Sequence, residues 1–140
     1  MTNLQITKTD KNLAEIIAED LSNDMTIVLC TQITKNEEIV KSITLSKAKI
    51  DEGIDFKDYS KNNWADIANA MNDLSKKNLY IANLNEMSVE SVIAKCKKND
   101  LKIKNILIDD IENLISNDNY KKLKSFFIET GAKVIACNNC

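Results

Sequence analysis

One α/β domain of three α/β/α layers, built on a mainly parallel sheet of four to five strands, is predicted by three observations. Short apolar runs alternate along the chain with stretches whose apolar residues recur at helical spacing, the pattern of parallel strands joined by crossover helices. Ile106, Leu107 and Ile108 are apolar at consecutive positions, as in a strand covered on both faces. The 140 residues are 44% apolar and 29% charged, enough for a single core, and contain no Pro, no internal repeat and no linker-like tract that would divide residues 1–140.

The elements follow in order. A short apolar start at Leu4–Ile6 precedes a helix from about Lys11 to Leu21, with Leu13, Ile16, Ile17 and Leu21 on one face and Asp10 or Thr9 as its cap. Met25–Cys30 is a strand. Thr34 then opens a helix with Glu37 at the capping-box position and Ile39, Ile43 and Leu45 turned inward, and Gly53 marks the turn after it. A helix over about Lys61–Ser75 places Trp64, Ile67, Ala68, Met71 and Leu74 at core spacing and feeds the strand Asn78–Ala82. Ser88 caps a helix over Val89–Lys98, and Asn105–Asp109 is the next strand. A helix from about Tyr120 to Thr130 stops at Gly131, and Val134–Cys137 is the last strand.

Composition excludes several classes. No stretch approaches the roughly 20 apolar residues that span a bilayer, and the first residues lack a signal-peptide core, so a cytoplasmic protein is expected. A formal charge of -2 gives no global basic field for nucleic acid. A local surface remains in Lys95, Lys97, Lys98, Lys102 and Lys104, clustered where one helix ends and the next strand begins, although such runs are usually solvated. All 19 basic residues are lysine, and lysine does not reproduce the planar fork of arginine. Cys30, Cys96 and Cys137 lie in apolar patterns and read as buried free thiols, while Cys137 and Cys140 have the spacing of a metal or redox pair without the further ligands that zinc requires.

Asp109 is the one position with the look of chemistry. A carboxylate at the carboxyl end of a parallel strand can hold Mg²⁺ or orient a nucleophile, and a strand leaving a core also ends in something polar for no functional reason. From Cys30 onward the chain resembles the C-terminal ATPase domain of DnaB-type replicative helicases, which is RecA-like. The resemblance rests on ITKNEEIVKSITLSKAKI, on GIDFKDYSKNNWADIANAMNDLSKKNLYIAN with Trp64 and Leu79-Tyr80-Ile81, on MSVESVIAKCKKN, on NILIDDIENLI with Ile108-Asp109, and on KLKSFFIETGAKVIACNN. It implies a RecA-like sheet with Asp109 at the Walker B position.

It also implies departures. The phosphate loop of that family should lie in ITKTDKNLAE, where Lys11 corresponds to the phosphate lysine, Asp10 stands where a glycine would be and Asn12 where the Mg²⁺-binding hydroxyl would be. An aspartate there sets negative charge against phosphate. The catalytic glutamate is matched by Gln32, whose amide cannot take a proton, and the γ-phosphate glutamine by the shorter Asn139. The sequence ends before the family's DNA-contacting loops and arginine finger. The resemblance thus implies a truncated, catalytically inactive relative with no bound cofactor, acting through a protein partner such as a replicative helicase or a copy of itself. A divergent ATPase using Mg²⁺ and ATP at Lys11, Gln32 and Asp109, and a DNA-binding accessory protein, are the rivals.

Overall fold

The computed structural model describes residues 4–19, 24–31, 36–100 and 102–138. Its five strands are β1 Ile6–Asn12, β2 Met25–Cys30, β3 Leu79–Asn83, β4 Ile103–Ile108 and β5 Lys133–Asn138. They form one all-parallel sheet in the order β1-β5-β4-β2-β3. Among the described residues the helices are α1 Leu13–Glu19, α2 Asn36–Ala48, α3 Lys61–Ser75, α4 Val89–Lys98, α5 Ile111–Ile115 and α6 Tyr120–Thr130, with a 3-10 turn at Phe56–Asp58.

Alternate side chains of the central strands enter two separate cores. Ile27, Leu29, Ile106, Ile108 and Val134 pack with Val92 and Cys96 of α4, Leu114 of α5, and Leu123 and Phe127 of α6. Val28, Cys30, Leu107 and Cys137 face Leu13 and Ile17 of α1 and Ile39 and Ile43 of α2, with Leu74 of α3 at the margin. Helices thus cover both faces, which is why β2 is buried from Thr26 through Cys30 and β4 from Ile106 through Ile108. The three described cysteines are buried thiols, as their apolar settings predict; Cys140 lies outside the described residues.

Local chemistry sets the boundaries. Ser60 and Asn63 exchange side-chain and backbone hydrogen bonds in a capping box at the start of α3, and Ser88 accepts the Ser91 N–H at the start of α4. Gly131 ends α6 at φ 68, the left-handed region that favours glycine. Lys49 adopts the same region, φ 60, after α2, where the Ile50 N–H reaches the Leu45 carbonyl at 3.0 Å and the Lys49 N–H that of Ser46 at 3.2 Å.

Three expectations are corrected. The first strand is longer than Leu4–Ile6: parallel pairing with β5 carries it through to Asn12, so α1 begins two residues later than predicted. Its cap is accordingly Asn12, whose Oδ1 accepts the Glu15 N–H at 2.9 Å, rather than Asp10 or Thr9. Within α3 only Ala70 is fully buried, while Trp64 and Met71 are 50% and 58% exposed. Two apolar stripes run along this helix about a quarter-turn apart; the one with Ile67, Ala70 and Leu74 faces the protein, which turns Trp64, Ala68 and Met71 outward. The short helix α5, capped by Asp110, has no counterpart among the predicted elements. Thr34 and Leu21 lie outside the described residues.

Candidate functional site at the carboxyl edge of the sheet

In doubly wound sheets the ligand crevice opens beyond the strand ends where the chain changes its direction of travel. Here that point lies between β2 and β4, because the chain leaves β2 outward to β3 and returns to the other side of β2 as β4. The residues that follow these two strands are Thr31 and Asp109.

They are joined. The Thr31 N–H donates to both Asp109 carboxylate oxygens at 3.0 Å, and its hydroxyl donates to Oδ1 at 3.1 Å. The Asp109 N–H in turn donates to the Leu29 carbonyl at 3.2 Å, and the side chain is only 7% exposed. Around this clamp Asn85 donates from Nδ2 to the Thr31 carbonyl at 3.1 Å, and the buried Asn83 accepts the Asn85 N–H at 3.0 Å. Asn113 of α5 reaches the same Thr31 carbonyl at 3.4 Å, and its own N–H is received by Asp110 at 3.2 Å. A side-chain network therefore ties together the tips of β2, β3, β4 and α5, with no buried side-chain polar atom left unpaired among the described residues. Chemically it sets the Asp109 carboxylate against the amide and hydroxyl of Thr31, with the Asp110 carboxylate beside it at the start of α5. No group of three or more His, Cys, Asp or Glu residues is placed to hold a metal ion among the described residues.

At the junction of β1 and α1 the strand passes into the helix with no intervening loop. Asn12 occupies the helix start, and Glu15 adds a carboxylate to the first turn. The Lys11 ammonium pairs with Glu19 at the far end of α1, and this hydrogen bond holds its pKa above the ordinary 10.5. Lys11 lines a cavity of about 370 Å³ with Thr26, Leu79 and Asn105, residues near the amino ends of β2, β3 and β4. Asp109 stands at the carboxyl edge, where β1 also ends, while the Lys11 ammonium is engaged by Glu19. Asn12 serves as a helix cap; Gln32 and Asn139 lie outside the described residues.

The lysine group is scattered in its engagements. The Lys95 ammonium sits 4.5 Å from the Tyr80 ring centre, and Lys97 pairs with Glu129 at 3.7 Å. Lys98, Lys102 and Lys104 are exposed near the amino edge, where the C-terminal end of α4 favours cations. The carboxyl edge carries the opposite sign, with Glu37 and Glu38 in the first turn of α2, Glu90 in that of α4 and Glu112 in that of α5. Thr31, Asn83, Asn85 and Asn113 belong to the site without having been singled out in the sequence. Nothing short of the fold links Thr31 to a carboxylate 78 positions away.

No protein-family model and no curated protein sequence matches the chain. Solved structures do. The ATPase domain of one DnaB-like helicase superposes with a TM-score of 0.64 at 17% identity, covering 96% of this chain and 56% of that one. A second DnaB-like replicative helicase, solved in a study of its interactions with primase, gives 0.63 at 16% identity, covering 96% of this chain and 39% of that one. This chain spans less than two thirds of each. Its fold is that of the DnaB-like helicase ATPase domains, RecA-like, as the motif resemblance implied. Among the described residues, no helix is long and apolar enough to cross a membrane.

Proposed function

We propose that this protein is a non-hydrolysing relative of the DnaB-like helicase ATPase domain that works as a protein-interaction module, in or beside DNA replication. The observation that carries the proposal is the β1–α1 junction. A phosphate cradle needs backbone N–H groups free to turn toward an anion, which glycines permit. Here the strand enters the helix directly, Asn12 takes up the Glu15 N–H, and Glu15 brings negative charge to the same turn. Lys11 is engaged by Glu19, and both Asp109 oxygens are engaged by Thr31. Gln32 in place of a carboxylate, and the absence of arginine, remove the base and the charge-neutralising fork that hydrolysis would use.

The interaction role is supported by large apolar side chains left at the surface, among them Phe56, Trp64 and Met71. A neighbour studied in its interactions with primase fits a protein partner of the replication machinery. Titration calorimetry with ATP and a non-hydrolysable analogue in Mg²⁺, together with a phosphate-release assay, tests the proposal. No heat of binding and no phosphate are expected. Mg²⁺-dependent binding that disappears in folded Lys11→Ala and Asp109→Asn variants would overturn it.

A further inference from the structure

Two surfaces on opposite faces of the sheet have matching chemistry. The first is the connector between α2 and α3. Residues 51–58 are exposed throughout and carry four carboxylates, Asp51, Glu52, Asp55 and Asp58, against the single Lys57. Within this acidic segment Ile54 and Phe56 are 42% and 63% exposed. Both side chains are held out by the local turn chemistry: Asp51 accepts the Gly53 N–H at 2.8 Å and Asp55 accepts the Lys57 N–H at 3.1 Å, which fixes the backbone without covering the apolar groups.

The second surface is a groove of about 610 Å³ between α4 and α6. Ile93, Ala94 and Phe126 give it an apolar strip, and its charged lining is three lysines, Lys97, Lys121 and Lys122, against two carboxylates, Glu90 and Glu129, an excess of one positive charge. Two ion pairs bridge the helices across it, Lys122–Glu90 at 2.8 Å and Lys97–Glu129 at 3.7 Å. All four partners are about half exposed or more, so these pairs are worth little in themselves and can be exchanged for others.

We propose that the acidic connector of one copy, led by Phe56 and Ile54, docks into the α4–α6 groove of a second copy. The occupant is a second copy because the chain itself carries the complement of its own groove and cannot deliver it there. The connector joins helices packed on one face of the sheet, and the groove lies on the other. The contact is heterologous, the same two different patches repeating from copy to copy, so it extends beyond a dimer into a ring or an open row. It rests on the interaction-module reading and names one partner for it.

Sedimentation equilibrium on the full chain over a concentration series tests this. The weight-average mass is expected to climb past that of a dimer. It should fall back when salt is raised from about 0.1 M to about 1 M, which shortens electrostatic reach from roughly 10 Å to roughly 3 Å. Phe56→Ser removes the leading apolar group, and Ala94→Glu places a carboxylate on the apolar strip of the groove; both positions are exposed, and circular dichroism checks that each variant folds. Each alone should weaken association by about tenfold or more. Mixed in equal amounts they should recover dimers and nothing larger, since each retains the half that the other lacks. A concentration-independent monomer, variants that assemble like the parent, or a mixture that fails to pair would each overturn the docking. A monomer that binds no ATP overturns the docking and leaves the non-hydrolysing reading standing; ATP turnover by an assembling protein does the reverse.

Discussion

Asp109 shows how one residue divides between what is legible in a sequence and what is not. Its position at the end of an apolar strand is readable, and so is its acidity. Its partner is not, because Thr31 meets it only when β2 and β4 lie side by side. The geometry makes the carboxylate a structural acceptor, with testable energetics. Asp109→Ala leaves the Thr31 N–H without its acceptor and should cost about 1–3 kcal/mol by urea denaturation. Asp109→Asn keeps one acceptor and should cost less, and Thr31→Val, which loses only the hydroxyl donor, about 1 kcal/mol. An order in which Asn is as costly as Ala would point instead to a need for the charge. Lys49 offers a second test at this scale. It holds a left-handed conformation that glycine takes without steric cost, and both carbonyl bonds of the helix end are already in place. Lys49→Gly should therefore stabilise the fold by up to about 1 kcal/mol, read as a higher urea midpoint with an unchanged slope.

Among the elements, α3 and α6 contrast most. Their bounds, Lys61–Ser75 and Tyr120–Thr130, follow from apolar spacing and, for α6, from Gly131 at its end. What spacing does not decide is which face turns inward when two apolar stripes compete. In α6 the stripe is unambiguous, and Leu123, Phe126 and Phe127 are buried. In α3 the larger side chains lose: Trp64 packs edge-on against Tyr59 at 5.2 Å and stays half exposed, while small Ala70 allows close approach to the body of the protein. Trp64→Ala should accordingly cost less than about 1 kcal/mol, against roughly 3–5 kcal/mol for Phe127→Ala. The short α5 escaped prediction because five residues give no period to read; its signal was Asp110 standing three residues before Asn113.

The whole molecule gathers carboxylates in the helix starts at one edge of the sheet and lysines at the ends of α2 and α4. This polarity was present in the sequence but became a surface only once the parallel sheet aligned the helices. The fold also places ionisable groups in the core around α4. Burial pushes the Cys96 thiol above 9.0, and burial followed by the neighbouring Cys96 pushes the Tyr80 phenol above 10.0. The unfolded chain releases these protons first, so stability is level through neutral pH and falls as pH rises past about 9. Urea midpoints measured from neutral to strongly alkaline pH should show this fall, and Cys96→Ala should make it shallower. The three buried thiols have a further consequence. Cys30 and Cys137 lie in the core beneath α1 and α2, and Cys96 in the one beneath α4 and α6. A thiol reagent reaches either compartment only when that layer lifts away. In a Cys140→Ser background, labelling rates become two clocks on one molecule, timing separately how often each side of the sheet breathes open.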